Sequence, residues 1–273
     1  MYQQQYISCF IHYLTQEEKS PATIVKYTRE VQRFLRWLSQ RELDKDIVVA
    51  YKKTLTQRYT PAGVNGQLTA VNVFLKSIGR PDCCVKLMKI QRHMFCQEER
   101  ELSLEEYQRL LAAAGQRPIS LVIQTICGTG IRVSELRHIT VQAVQAGRAI
   151  VSCKSKTRVI FISSQLQVRL AEYAQKRGIT TGPVFVTRFG NPLDRSNIWR
   201  SMKSLCARAN VSWEKVYPHT LRHLFARTYY TMEKDIVRLA DLLGHSSVNT
   251  TRIYTISSGQ EHRRQLEQMH LVL

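Results

Sequence analysis

The sequence predicts a mainly α, multidomain chain: an all-helical N-terminal part and a mixed α+β C-terminal part with a small antiparallel sheet. Three observations carry this. Apolar residues recur at the helical period behind Ser20-Pro21 and again behind Thr60-Pro61. Two β-branched runs, 149–153 and 157–162, are joined by Lys154-Ser155-Lys156, which is a hairpin signal. Between these regions, Ser103-Leu-Glu-Glu106 opens a new helix with a capping box.

In chain order, Ser20 is an N-cap and Pro21 stands at the first helical position. Ile24, Tyr27, Val31, Phe34, Leu35 and Leu38 then share one apolar sector. Lys26, Arg29, Arg33 and Arg36 lie opposite, on an arc of roughly 80°. That stripe reads as a solvated face or as phosphate contacts, and the basic composition favours the second. The second helix begins at Thr60-Pro61, carries Val64, Leu68, Val71, Leu75 and Ile78, and stops at Gly79 before Pro81. Its Asn65, Thr69, Asn72 and Lys76 suit groove contacts or a plain surface equally. The predicted parts span 1–90 and 103–273 with a linker over 91–102. Periodicity already fades at 82, so the connecting segment runs to about twenty residues.

In the second part, Pro118 to Cys127 is an apolar helix ending in the turn Gly128-Thr129-Gly130. The hairpin follows, and 183–187 supplies a third strand. Helices are predicted at about 165–177, 195–209, 219–232 and 235–243, with Gly178 and Gly244 as C-caps.

The 273 residues suffice for one large domain or two ordinary ones. A formal charge of +19 points to a polyanion, most economically nucleic acid, although a ribosome-associated or merely basic protein would carry the same charge. Both parts are basic: 16 basic against 9 acidic residues over 1–100, and 24 against 12 over 101–273. A hydrophobic fraction of 44% argues against a disordered basic tail. Seven cysteines, an odd count with no C-x-x-C spacing, argue against a disulfide framework and a zinc ribbon. Reduced thiols, no membrane-length apolar run and no leader-like N-terminus predict a cytoplasmic, non-membrane protein.

Taken singly, the chemistry-bearing residues are bland. Arg132 and Glu135 on a helix start would form a surface ion pair. His219 and Arg222 would share a solvated face or a cap, and His245 would complement a helix dipole. A lone Tyr254 would be half-buried packing. The ordered set is far more specific: G-x-G-I-R-x-x-E over Gly128–Glu135, a basic hairpin, H-x-L-R-H from His219, L-G-H ending at His245, and Tyr254 nine residues later.

With these motifs the sequence resembles the tyrosine recombinase (phage integrase) family, notably its compact Xer-like and Cre-like members. The resemblance spans essentially the whole chain. It implies a helical core-binding domain that clamps DNA, followed by a catalytic domain with a C-terminal helix. It also implies a catalytic set of Arg132, Lys154, His219, Arg222, His245 and the nucleophile Tyr254, with Glu135 supporting Arg132. The family's hairpin commonly reads G-K-G-x-K-x-R. Here Cys153-Lys-Ser-Lys-Thr-Arg158 is one residue shorter, so Lys154 is preferred as the hairpin lysine while Lys156 reaches the same place from a mobile turn. His223 is assigned to structural hydrogen bonding. The DNA-binding residues expected are Lys26, Arg29, Arg33, Arg36 and Lys156.

The chemistry fits these roles. A tyrosine hydroxyl with an ordinary pKa of about 10 needs help to attack phosphorus. Two guanidiniums favour phenolate and hold the non-bridging oxygens. His219 serves as base or charge stabiliser, Lys154 protonates the leaving 5′-oxygen, and His245 adds a donor to the phosphoryl group. A covalent 3′-phosphotyrosine conserves the bond energy, so neither ATP nor a metal cofactor is expected, and no G-x-x-x-x-G-K-[ST] loop occurs. The resemblance further implies double-stranded DNA as partner and a homotetramer on two DNA sites. The apolar end of 259–273 would dock on a neighbouring subunit, or pack on its own domain. No arm-binding module is expected ahead of the first helices. Two other readings are a type IB topoisomerase-like enzyme and a catalytically silent DNA-binding protein. The complete six-residue set argues against the silent binder.

Overall fold

The computed structural model describes residues 2–90, 101–153, 156–245, 247–254 and 267–268. The chain divides into two compact units, Met1–Arg92 and His93–Leu273. The first is all helical: α1 (Tyr2–Gln16), α2 (Pro21–Leu38), α3 (Lys45–Thr56) and α4 (Pro61–Ser77). Ser20, Asp44 and Thr60 cap α2, α3 and α4 by accepting from Thr23, Ile47 and Gly63 amides. Phe10, Phe34, Phe74, Val48, Leu68 and Val71 form the core, with Phe10 edge-on to Phe74 at 5.4 Å between centroids. Full burial of each such ring contributes about 1.5–3 kcal/mol.

Neither α1 nor α3 was expected. α1 follows no recognisable cap, and Phe10 and Leu14 on it become buried only through tertiary packing. Asp44 and the spacing of Val48, Tyr51 and Leu55 were the available signal for α3.

The stretch after 82 also differs from expectation, since up to residue 90 it is fixed on the first unit. Asn72 exchanges hydrogen bonds with the Val85 carbonyl (2.8 Å) and amide (3.0 Å), and Asn65 does the same with Met88 (2.9 and 2.8 Å). Lys45 and Lys52 donate to the Cys84 and Lys86 carbonyls. The Asn65–Asn72 stripe is therefore neither a groove-contacting face nor a plain surface. It satisfies the backbone of an extended segment that has no strand partner.

The second unit is mixed. Its leading helices are α5 (Leu104–Ala114), with the Ser103–Glu106 capping box in place, and α6 (Pro118–Thr129). α6 is apolar nearly all round because it is central: Ile119, Val122, Ile123 and Ile126 are all buried. After α7 (Val141–Gln145), strands β1 (Arg148–Cys153) and β2 (Lys156–Phe161) pair antiparallel, Val151 opposite Arg158 and Cys153 opposite Lys156. α8 (Ser164–Lys176), α9 (Arg195–Lys203), α10 (Cys206–Ala209), α11 (Pro218–Glu233), α12 (Ile236–Leu243) and α13 (Val248–Thr251) complete the described helices.

The third strand is not formed. Residues 183–187 make only single bridges, Thr140 with Pro183 and Val186 with Pro192. Pro183 has no N–H to donate, while Val184 and Phe185 are buried in the core. The helix expected over 195–209 breaks into α9 and α10, where the Leu205 amide makes a tight turn onto the Met202 carbonyl. Among the described residues no helix is long and apolar enough to cross a membrane. The C-terminal docking helix expected over 259–273 lies outside the described residues, apart from 267–268.

Candidate active site

The site is assembled from helix ends and one hairpin strand. α6 ends at Gly130, which adopts φ 63° in the left-handed region. A Cβ there would stand 2.4 Å from the Phe225 ring, so only glycine fits. Arg132 follows as the cap of a 3₁₀ turn, Val133–His138, rather than as the start of an α-helix. The tighter turn eclipses positions i and i+3 and brings Glu135 under Arg132. Glu135 is buried at 4% exposure. Its Oε1 accepts from Arg132 Nη1 at 2.9 Å, and its Oε2 accepts from the Arg132 amide at 2.9 Å and from Arg158 Nη2 at 2.7 Å. Burial alone would raise this carboxyl, but the amide and the two guanidiniums outweigh it and hold it below its usual range.

α11 supplies His219, Arg222 and His223. Arg222 is 1% exposed. It donates to the Gly130 carbonyl at 2.5 Å and to the Leu243 carbonyl at 2.6 Å, and contacts His245 Nε2 at 3.1 Å. No carboxylate pairs with Arg222 among the described residues. Burial first, then Arg132 and Arg158, lower its pKa to about 10. α12 ends at Gly244, again left-handed at φ 62°, which delivers His245. Because a guanidinium can only donate, His245 Nε2 accepts and its proton resides on Nδ1, which donates to Thr251 Oγ1 at 2.9 Å. In this arrangement His245 is an acceptor; to donate to a phosphoryl oxygen through Nε2 it must first gain a proton.

Tyr254 ends the set in a short 3₁₀ turn, Arg252–Tyr254. It is 4% exposed, and its phenol and the Arg222 guanidinium of the same chain bear on each other electrostatically. Its ring stacks on His245 at 5.9 Å and stands edge-on to His223 at 4.6 Å. His219 packs against His223 at 4.6 Å and keeps an exposed edge. Burial, with nearby guanidiniums, lowers both His219 and His245 to about 4, so both imidazoles are neutral at pH 7. His223 Nδ1 donates to Glu101 Oε1 at 3.1 Å. Two cavities meet at Arg132. One of about 260 Å³ is bordered by Arg158, Asp241 and His245, and one of about 370 Å³ by Arg195, Trp199, His219 and Arg222.

Five of the six expected catalytic residues thus converge with Glu135. Lys154 lies outside the described residues; Lys156 is placed in β2 by its backbone. The stripe on α2 behaves differently from expectation. Arg29 and Arg33 both pair with the buried Glu30, at 3.0 and 2.8 Å, while Lys26 and Arg36 form no ion pair among the described residues. Sequence reasoning missed Arg158, Glu101 and Thr251 as supports; only Arg158 left a signal, as the last basic residue of the hairpin motif. Among the described residues, no three His, Cys, Asp or Glu side chains form a metal-binding group.

A phenol packed on imidazoles, with the guanidiniums of Arg222 and Arg132 in the same site, is equipped to attack a phosphodiester. A model described as the phage integrase family matches residues 100–261, more than half of the chain, and the chain belongs to that family. It is 29% identical to the tyrosine recombinase XerA of Thermococcus kodakarensis over 275 residues, covering 96% of this chain and 94% of that protein. The crystal structure of XerA recombinase aligns with a TM-score of 0.55 at 28% identity, covering 99% of this chain and all of that one. A lambda integrase tetramer bound to a Holliday junction shares the fold, with a TM-score of 0.74 at 16% identity over 92% of this chain and 76% of that one.

Proposed function

We propose that the protein is a site-specific DNA recombinase that cuts and rejoins double-stranded DNA through a 3′-phosphotyrosine on Tyr254. One observation carries the reading: buried Tyr254 packs on His245 and His223 of its own chain, and His245 contacts the buried Arg222 guanidinium, in the same site where Arg132 and Arg158 share the Glu135 carboxylate. Such a concentration of guanidiniums suits an anion, and a phosphodiester is the anion a tyrosine can attack.

In the reaction, Arg132 and Arg222 hold the non-bridging oxygens and compensate the phosphorane. The phenol loses its proton, with neutral His219 as acceptor, and Tyr254 Oη bonds to phosphorus as the bond to the 5′-oxygen breaks. Lys154 supplies the proton to that oxygen. His245, once protonated beside the phosphate, donates to it. Attack by a 5′-hydroxyl reverses every step, so rejoining consumes no ATP. The first unit clamps the duplex, with Lys26 and Arg36 as the cations of its stripe that pair with no carboxylate among the described residues, and Lys156 adding a contact from the hairpin. By analogy with the lambda integrase tetramer on a Holliday junction, four copies act on two DNA sites, and the apolar C-terminal segment docks on a neighbour. The site of action is cytoplasmic.

The test uses a duplex selected from a random-sequence pool by binding to this protein, then nicked to trap the covalent intermediate. Wild type is expected to form an SDS-resistant adduct. Tyr254→Phe should bind the duplex equally well and form none; an adduct with the Phe variant would refute the assignment.

A further inference from the structure

We propose that Arg158 is a positioning residue for this reaction, which fixes Arg132 and His245 relative to each other by gripping Glu135 and the end of α12 at once. The inference rests on the recombinase reading above. Arg158 stands on β2, with its side chain only 11% exposed. Its Nη2 takes Glu135 Oε2 at 2.7 Å, so the carboxylate that orients Arg132 is held from both sides. Its Nη1 takes the Leu242 carbonyl at 3.0 Å. The next carbonyl, Leu243, is taken by Arg222, so two guanidiniums grip consecutive residues just ahead of His245. The left-handed turn at Gly244 wraps against the Arg158 side chain, where a Cβ would come 2.7 Å from Cδ. Arg158 also borders the same cavity as Arg132 and His245.

The planar guanidinium fork suits this task, because its two amino groups reach two acceptors in fixed geometry. A lysine would keep the Glu135 ion pair but not the bond to Leu242. Arg158 also bears on the charge state of His245, together with Arg222, Arg132 and His219. Thr251, Tyr254 and Asp241 are the other polar groups facing that imidazole. Removing the Arg158 charge favours the imidazolium.

Arg158→Gln and Arg158→Lys are compared with wild type on the selected nicked duplex, reading affinity, melting temperature and the rate of adduct formation per folded molecule across pH. With affinity unchanged, the Gln variant should form adduct about 100-fold more slowly and the Lys variant about tenfold more slowly. The alkaline limb of the profile, set by loss of the His245 proton, should move to higher pH in the Gln variant and stay in place in the Lys variant. Wild-type rates per folded molecule in both variants, with the limb unmoved, would overturn the proposal and make Arg158 a purely structural residue. A wild-type protein that forms no adduct would overturn the recombinase reading itself.

Discussion

Each unit of the molecule buries one glutamate between two arginines, and the two arrangements have opposite consequences. In the first, Glu30 pairs with Arg29 and Arg33 on the same helix, and those side chains remain 64% and 41% exposed. Water screens such a cluster, and its arginines can still turn toward solvent. In the second, Glu135 pairs with Arg132 and Arg158, which are 34% and 11% exposed and come from different elements. A third guanidinium, Arg222, stands beside them with carbonyls and an imidazole as partners and, among the described residues, no carboxylate. Two paired arginines on a helix make a solvated face. Two on one buried carboxylate, with a third beside them held by carbonyls, make a fixed positive well for a phosphate in a desolvated cleft. What matters is where the unpaired charge is buried, not how many cations a region carries.

The sharpest way to break this contrast is to remove the unpaired charge. Arg222→Gln should slow adduct formation by about 100- to 1,000-fold with duplex affinity nearly intact. A comparable loss of binding instead would make Arg222 a clamp rather than a reaction residue. Next, Glu135→Gln should slow adduct formation about tenfold or more. Glu30→Gln should leave the rate unchanged, and equal losses in the two would erase the distinction between the units.

Stability offers a third comparison. Gly130→Ala places a methyl group against Phe225, whereas the same change at Gly79, also left-handed at φ 74°, meets nothing within 4 Å. Both pay for backbone strain of about 1 kcal/mol, and the first should lose about 1–3 kcal/mol more by overpacking, read as denaturation midpoints. Equal midpoints would mean that Phe225 yields freely.

Acid should act on the second unit through its histidines. His219 and His245 titrate at about 4 when folded and near 6.5 when unfolded. The unfolded chain therefore binds more protons between those values, and stability, full above 6.5, falls as pH drops toward 4. His219→Gln and His245→Gln should each flatten that decline in urea midpoints. The smallest effect belongs to the α2 stripe. Neutralising Lys26 and Arg36 should weaken binding and reduce the salt slope, by about one unit per lost phosphate contact. An unchanged slope would make the stripe plain surface.

The parts of the site that were legible in the sequence are those whose partners are close along the chain. Arg132 with Glu135, and His219 with Arg222, fall within one turn, so spacing alone brought them to one face. Arg158 reaches Glu135 across 23 residues and the Leu242 carbonyl across 84, and His223 reaches Glu101 across 122. No local pattern encodes such meetings. The same reasoning separates the helices. α2 and α4 announce themselves by Ser-Pro and Thr-Pro starts, while α1 has no such signature and owes its stability to packing. Residues 183–187 were read as a strand from composition, but a proline and the pull of the core on Val184 and Phe185 leave them without a partner strand.

The most direct measurement is to digest the trapped protein–DNA adduct and sequence the peptide that retains nucleotide by mass spectrometry. A 3′-phosphonucleotide on the peptide containing Tyr254 is the predicted result. Nucleotide attached to any other residue, or through a 5′-phosphate, would contradict it.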